Sequence, residues 1–201
     1  MTIASFIEAL SPNLTKDEPT GFVQRKTAGV AVIFRNLDVE EEVLIIKRAE
    51  REDDPWSGQA AFPGGMVSTK DGSFEETARR ETAEEVGIDL SKGAVFLGYM
   101  SDLKAGTRDI VVVPSVYKLV ASAAVTLSGE VASYSWVPMR GLAGKEVRST
   151  YLLHRGGWEI PFPSLVHRGL VIWGLTERIL SAIILYSTNE GNGGLPGEAE
   201  L

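Results

Sequence analysis

Apolar positions along the chain change rhythm several times, and each rhythm predicts an element. Residues 28–34 and 43–46 are short apolar, β-branched runs separated by an acidic turn at 38–42, a pattern that predicts a hairpin. Phe74, Ala78, Thr82 and Val86 recur at helical spacing, which places a core-facing helix over 73–86. Further apolar runs at 95–99, 110–120 and 131–136 predict strands. Trp173, Glu177, Leu180 and Ile184 repeat at helical spacing, so 165–186 is expected to be a second long helix. Residues 2–10 suggest a short helix, followed by a polar loop with Pro12 and Pro19. A charged loop at 48–58 leads to the corner Phe62-Pro63-Gly64-Gly65. The stretch 188–201 is rich in Gly, Asn and Glu and predicts a disordered tail. There is no internal repeat. Residues 1–187 are therefore expected to form a single α+β domain, an α/β/α sandwich around a mixed β-sheet.

Composition narrows the class. A chain of 201 residues is long enough for one substantial core. With 44% hydrophobic and 23% charged residues it has ordinary globular proportions. A net charge of −7 argues against a broad nucleic-acid surface, which needs clustered cations. The absence of cysteine excludes disulfides, thiolate metal sites and a cysteine nucleophile. No basic-then-apolar leader is visible at the N-terminus, and Glu177-Arg178 interrupt the last apolar stretch, so neither a signal peptide nor a membrane span is expected. The default expectation is a cytoplasmic protein.

Chemistry concentrates on the helix at 73–86. Ser73 followed by Glu76 forms a capping box at its start, and Gly87 stands where a left-handed cap would end it. Within it, Arg80, Glu81, Glu84 and Glu85 crowd six positions. Residues three and four apart on a helix are neighbours, so the three glutamates share one face. Two like charges ~5 Å apart repel by roughly 3 kcal/mol at an effective dielectric of ~20. Arginine or a metal must offset that repulsion, and oxygen-only ligands suit Mg²⁺ or Mn²⁺. Taken alone, such a string is more often a solvated, salt-bridged helix face. Its glycine-rich entry and register are what turn it towards chemistry.

In that register the segment resembles the Nudix hydrolase box, G-x5-E-x7-R-E-U-x-E-E-x-G-U. Gly65, Arg80-Glu81, Glu84-Glu85, Gly87 and Ile88 match it. Thr82 replaces the aliphatic U, which should loosen packing there, and the early acid is Asp71, one residue out of register. Leu44–Ala49 and Gly58–Gly65 are similar to the upstream signature of the coenzyme A diphosphatase branch, fully in the second part and partly in the first. Trp56 stands where that branch often has histidine, and Trp173-Gly174-Leu175-Thr176 resembles its W-G-x-T segment.

The resemblance implies an α/β/α sandwich and a metal-dependent hydrolase of diphosphates. Glu81, Glu84 and Glu85 would be metal ligands, with a backbone carbonyl from Gly65 or Gly64. Arg80 would orient the glutamates, and Asp71 would hold the loop. Glu130, in a segment similar to the family's E-V-x-x-x-x-W-V-P, is the candidate general base or further ligand. Glu146 and Glu159 lack that context. His154 and His167, the only histidines, have no metal-pair spacing. The phosphorylated substrate would find cations at Arg48 and Lys47, with Gly64 close to it; Arg51 reads as a solvated loop residue. The expected substrate is coenzyme A or a related nucleoside diphosphate derivative. Alternatives are ADP-ribose, a dinucleotide or an oxidised nucleoside triphosphate, and, in a different class, a Nudix-fold regulator that binds a nucleotide without cleaving it. Nucleic-acid and membrane partners are not expected, and a homodimer is left open.

Overall fold

A computed structural model describes residues 5–20, 26–37, 40–52, 54, 56–105 and 109–187. The tail expected at 188–201 lies outside them.

An eight-stranded mixed sheet forms the centre. Strand β1 (Lys26–Leu37) runs antiparallel to β2 (Glu40–Arg48) and parallel to β7 (Ile110–Leu119). Short β3 (Ala60–Ala61) and β8 (Val131–Pro138) pair with β2, while β4 (Gly64–Met66) pairs with β1. Strands β5 (Ala94–Tyr99) and β6 (Leu103–Lys104) pair with β7. The expected hairpin at 28–46 is present and longer than its apolar runs suggest.

Side chains alternate across a strand, so each apolar run is split between two cores. Ala31, Ile33, Leu44 and Ile46 pack with Ala78 and Val86 of helix α2 (Phe74–Val86). Val32, Phe34, Val43 and Ile45 face α1 (Phe6–Leu10), α4 (Met139–Ala143) and α5 (Gly174–Ser187). The result is the expected α/β/α layering; one-turn α3 (Leu90–Gly93) leads into β5. Among the described residues no helix is long and apolar enough to cross a membrane.

The structure corrects one expectation substantially. Residues 165–186 are not one helix. A separate antiparallel sheet has three strands, β9 (Arg148–Arg155), β10 (Trp158–His167) and β11 (Leu170–Trp173); the end of β10 and all of β11 take up 165–173, and α5 begins only at Gly174. Gly174 takes φ +68°, a conformation that suits glycine and turns the chain from strand to helix. The helical spacing from Trp173 onward described α5 but spilled over into the strand before it. Nothing in the apolar pattern separated strand from helix across 165–173, a known ambiguity for short apolar runs.

Candidate active site

The site is built where β4 meets α2. Gly64 must be glycine because a Cβ there would lie 2.5 Å from the carbonyl oxygen of Gly29. Gly29 is itself constrained, since a Cβ on it would come within 2.8 Å of the Phe74 carbonyl at the start of α2. The first approach seats β4 on β1, and the second seats the helix on the sheet. That Gly29 shares this task was legible only as a glycine inside a strand, a sign of close approach.

The helix start is capped as expected, and more fully. Ser73 Oγ accepts from the Glu76 N–H at 3.0 Å, and Glu76 reaches back to accept from the Gly72 N–H at 2.7 Å. Glu18, from the polar N-terminal loop, accepts from the Phe74 N–H at 2.7 Å and also from the Tyr99 hydroxyl. Burial and the Glu18 carboxylate raise the Tyr99 phenol above its ordinary range. Gly87 closes the helix at φ +71°. Thr82 is fully buried, and its hydroxyl donates to the Ala78 carbonyl at 2.6 Å, so the polar replacement in the box is satisfied within the helix.

Arg80 organises the acids in a way the spacing did not reveal. Its Nε and Nη2 fork onto Asp71 at 3.0 and 2.8 Å, while Nη1 donates to Glu81 at 2.7 Å and to Glu84 at 3.2 Å. The two-pronged pairing is therefore made with Asp71, while Glu81 and Glu84 each receive a single bond. Asp71 also accepts from the Ser68 N–H and the Thr77 hydroxyl, and Arg80 with these bonds pulls its carboxyl far below the usual range. It holds the loop, as expected of it.

The three box glutamates occupy different environments. The Glu84 side chain is 60% exposed, that of Glu81 17% and that of Glu85 4%. Glu81 lies over Gly65, where a Cβ would come 2.5 Å from its carboxyl carbon. Glu85 accepts from the Gly64 N–H at 2.9 Å. Each glycine of the corner is therefore in contact with one acid. Burial raises the Glu81 carboxyl, and burial raises that of Glu85 to about 7, with the Gly64 N–H and Arg48 pulling down and Glu81 and Glu130 pushing up.

Arg48 is turned towards two acids. It pairs with Asp54 through Nε at 2.9 Å and Nη2 at 2.8 Å, and its Nη1 lies 3.7 Å from Glu85. Its charge faces the site's own acids. Asp54, in the charged loop, carried no sequence signal that marked it. Lys47, the neighbouring position on β2, is exposed, and among the described residues no acid pairs with it. Glu130 is 56% exposed beside β8 and lies 3.4 Å from Arg51, which also donates to the Gly129 carbonyl. Arg51 thus borders the site through Glu130. His154 and His167 belong to the small sheet; His154 lies 3.5 Å from Glu159, and burial lowers His167.

Taken together, Asp71, Glu81 and Glu84 share one guanidinium, and Glu85 and Asp54 share another. Five carboxylates are set against two cations. As the side chains stand, no three His, Asp or Glu among the described residues converge as a ready-made cation cage; the acids are turned onto guanidinium groups instead. The donor set nonetheless fits a hard divalent cation. It is oxygen-only, in excess negative charge, and includes a buried carboxyl whose ionisation a cation would favour. Glu81, Glu84, Glu85 and the backbone at Gly65 could hold it.

Comparison with known proteins bears on this site. A family model described as NUDIX domain matches residues 25–155. The peroxisomal coenzyme A diphosphatase of Caenorhabditis elegans is 30% identical over 139 residues, covering 68% of this chain and 59% of that protein. This chain therefore spans under two thirds of the worm protein's length. The uncharacterized Nudix hydrolase NudL of Yersinia enterocolitica serotype O:8 is 31% identical over 183 residues, 89% of this chain and 90% of that one. A MutT/nudix family protein from Enterococcus faecalis superposes with a TM-score of 0.53 at 18% identity, covering 94% of this chain and 70% of its own, a likeness of fold.

Proposed function

Since the chain belongs to the Nudix family of hydrolases, we propose that it is a divalent-metal-dependent diphosphatase whose substrate is coenzyme A or a closely related nucleoside diphosphate derivative. The observation that carries the metal dependence is the excess of five carboxylates over two guanidinium groups around the Gly64-Gly65 corner. A Mg²⁺ or Mn²⁺ ion held there would offset the charge of the diphosphate and make water a stronger nucleophile at neutral pH.

The chain's own residues do the rest. Asp71 fixes Arg80, and Arg80 holds Glu81 and Glu84 at the surface of the helix. The Gly64 N–H holds Glu85. Glu130 sits near enough to Glu85 to influence its ionisation and is exposed to solvent, which suits a base taking a proton from the attacking water. Attack at one phosphorus breaks the bridging P–O bond, and the leaving phosphate departs with that oxygen. The coenzyme A assignment rests on the upstream residues 58–65 and on the likeness to the worm enzyme.

A substrate panel tests both parts of this reading. With Mg²⁺ or Mn²⁺ present, coenzyme A should be cut to 3′,5′-ADP and a phosphopantetheine product, with kcat/KM above that for 3′-dephospho-coenzyme A and ADP-ribose. Chelation should abolish turnover. Equal or better use of ADP-ribose would overturn the substrate, and no turnover of any diphosphate would return the chain to a nucleotide-binding role.

A further inference from the structure

The small sheet, which the sequence did not announce, lies beside the end of β2 and forms a groove of about 390 Å³ there. This is the size range of small-molecule pockets. Lys47 and Gln59 supply its polar wall; Tyr151, Leu153, Val171 and Trp173 supply its apolar one. The strand register explains the apolar wall. Leu153 stands opposite Ile160, Tyr151 opposite Phe162, and Trp173 opposite Ser164, so all project from one face of the sheet. Ser164 is small, and the larger rings lean together across that strand. Tyr151 and Trp173 stack with centroids 4.3 Å apart and planes 16° from parallel, and Phe162 tilts against Trp173 at 5.4 Å.

The groove is tied to the candidate active site by short pieces of chain. Lys47 and Arg48 are consecutive, yet Lys47 lines the groove while Arg48 faces Glu85, with a register shift of the β8 pairing between them. The loop after β2 serves both sides: Asp54 pairs with Arg48, and residues 57–59 line the groove. On the far wall, Thr176 donates to the Ala60 carbonyl at 3.1 Å, fixing the start of α5 to β3. The Trp173-Gly174-Leu175-Thr176 segment therefore has a physical task here. Trp173 gives a wall, Gly174 the turn, and Thr176 the anchor.

We propose that this groove is the subsite for the phosphorylated nucleoside end of the substrate, its purine packing on the Tyr151–Trp173 stack and its extra phosphate meeting Lys47. The proposal rests on the diphosphatase reading above and says where that substrate's non-reacting end lies. An aromatic wall next to a lone cation selects a flat base that carries an anion. The diphosphate would then pass over the end of β2 to the Gly64–Glu85 corner, so the ligand chemistry expected is that of 3′,5′-ADP.

Binding without hydrolysis decides it. Calorimetric titration of the full chain, without divalent metal, should show 3′,5′-ADP binding about tenfold more tightly than 5′-AMP, the order expected for one charge-assisted contact. Lys47→Ala should erase that preference. Tyr151→Leu should weaken both ligands alike, and Val171→Glu, at a position 39% exposed, blocks the same wall with a surface change should Tyr151→Leu unfold. Hydrogen exchange should show protection by 3′,5′-ADP at 57–60, 151–153 and 169–173. A preference that survives Lys47→Ala, or protection confined to 64–85, overturns the subsite and leaves the diphosphatase reading standing. Failure to hydrolyse any diphosphate would sink that reading, while the titration would still report on the groove.

Discussion

Replacing Glu85 with Gln separates what the protein's stability needs from what its chemistry needs. The carboxyl is nearly buried, and its burial lifts it from the ordinary 4.5 to about 7 in the folded chain. A group that binds its proton more tightly when folded favours folding most below pH 4.5, and that advantage is lost as pH rises towards 7. The interval corresponds to about 3 kcal/mol at 1.36 kcal/mol per pH unit. Glutamine keeps the oxygen that accepts from the Gly64 N–H and cannot ionise. Arg48 keeps Asp54 as its partner in the variant. Chelator-treated Glu85→Gln should therefore match the parent chain near pH 4.5 and exceed it by about 3 kcal/mol at pH 8. For a domain of this length that is roughly 6–12 °C in Tm. Thermal unfolding followed by circular dichroism across pH 4–8 measures it directly. A stability difference that does not change with pH, or a parent chain more stable than the variant at pH 8, would refute the argument that Glu85 is held charged at a cost. With metal and substrate supplied, the same variant should lose nearly all turnover.

Other perturbations separate the remaining roles. Glu84→Gln, at a mostly exposed position, should leave Tm within about 1 °C at any pH, as surface changes usually do, yet cut turnover steeply; near-normal rates with Mg²⁺ would remove it from the ligand set. Gly65→Ala should fold but displace Glu81 and lower kcat, whereas Gly64→Ala should cost stability outright because its Cβ would meet the backbone of Gly29, and a reversed pattern in paired Tm and rate measurements would contradict the packing described. Asp71→Asn should lower Tm by removing the charge that holds the Arg80 fork, an effect that should shrink as pH falls and the parent's aspartate protonates. Glu130→Gln should lower kcat by about 10²–10⁴-fold with KM within a few-fold if it is the base, and an unchanged pH–rate profile would make it a surface acid paired with Arg51.

The chain's local periodicities and glycine positions were enough to locate α2, its caps, the flanking hairpin and the acids α2 carries. These features depend on neighbours a few residues away, and such short-range terms are written directly in the residue order. The two-faced burial of β1 and β2 was implied by their uninterrupted apolar runs. Tertiary structure decided the rest. It ranked Glu81, Glu84 and Glu85 by burial, gave Asp71 rather than the glutamates the paired bonds of Arg80, and turned Arg48 inward onto Asp54 and Glu85. It also made 165–173 part of a sheet and brought Tyr151 against Trp173 beside Lys47. Each of those outcomes depends on segments far apart in sequence coming within a few ångströms of each other. Burial, and with it the strength of every charge, exists only once they have done so.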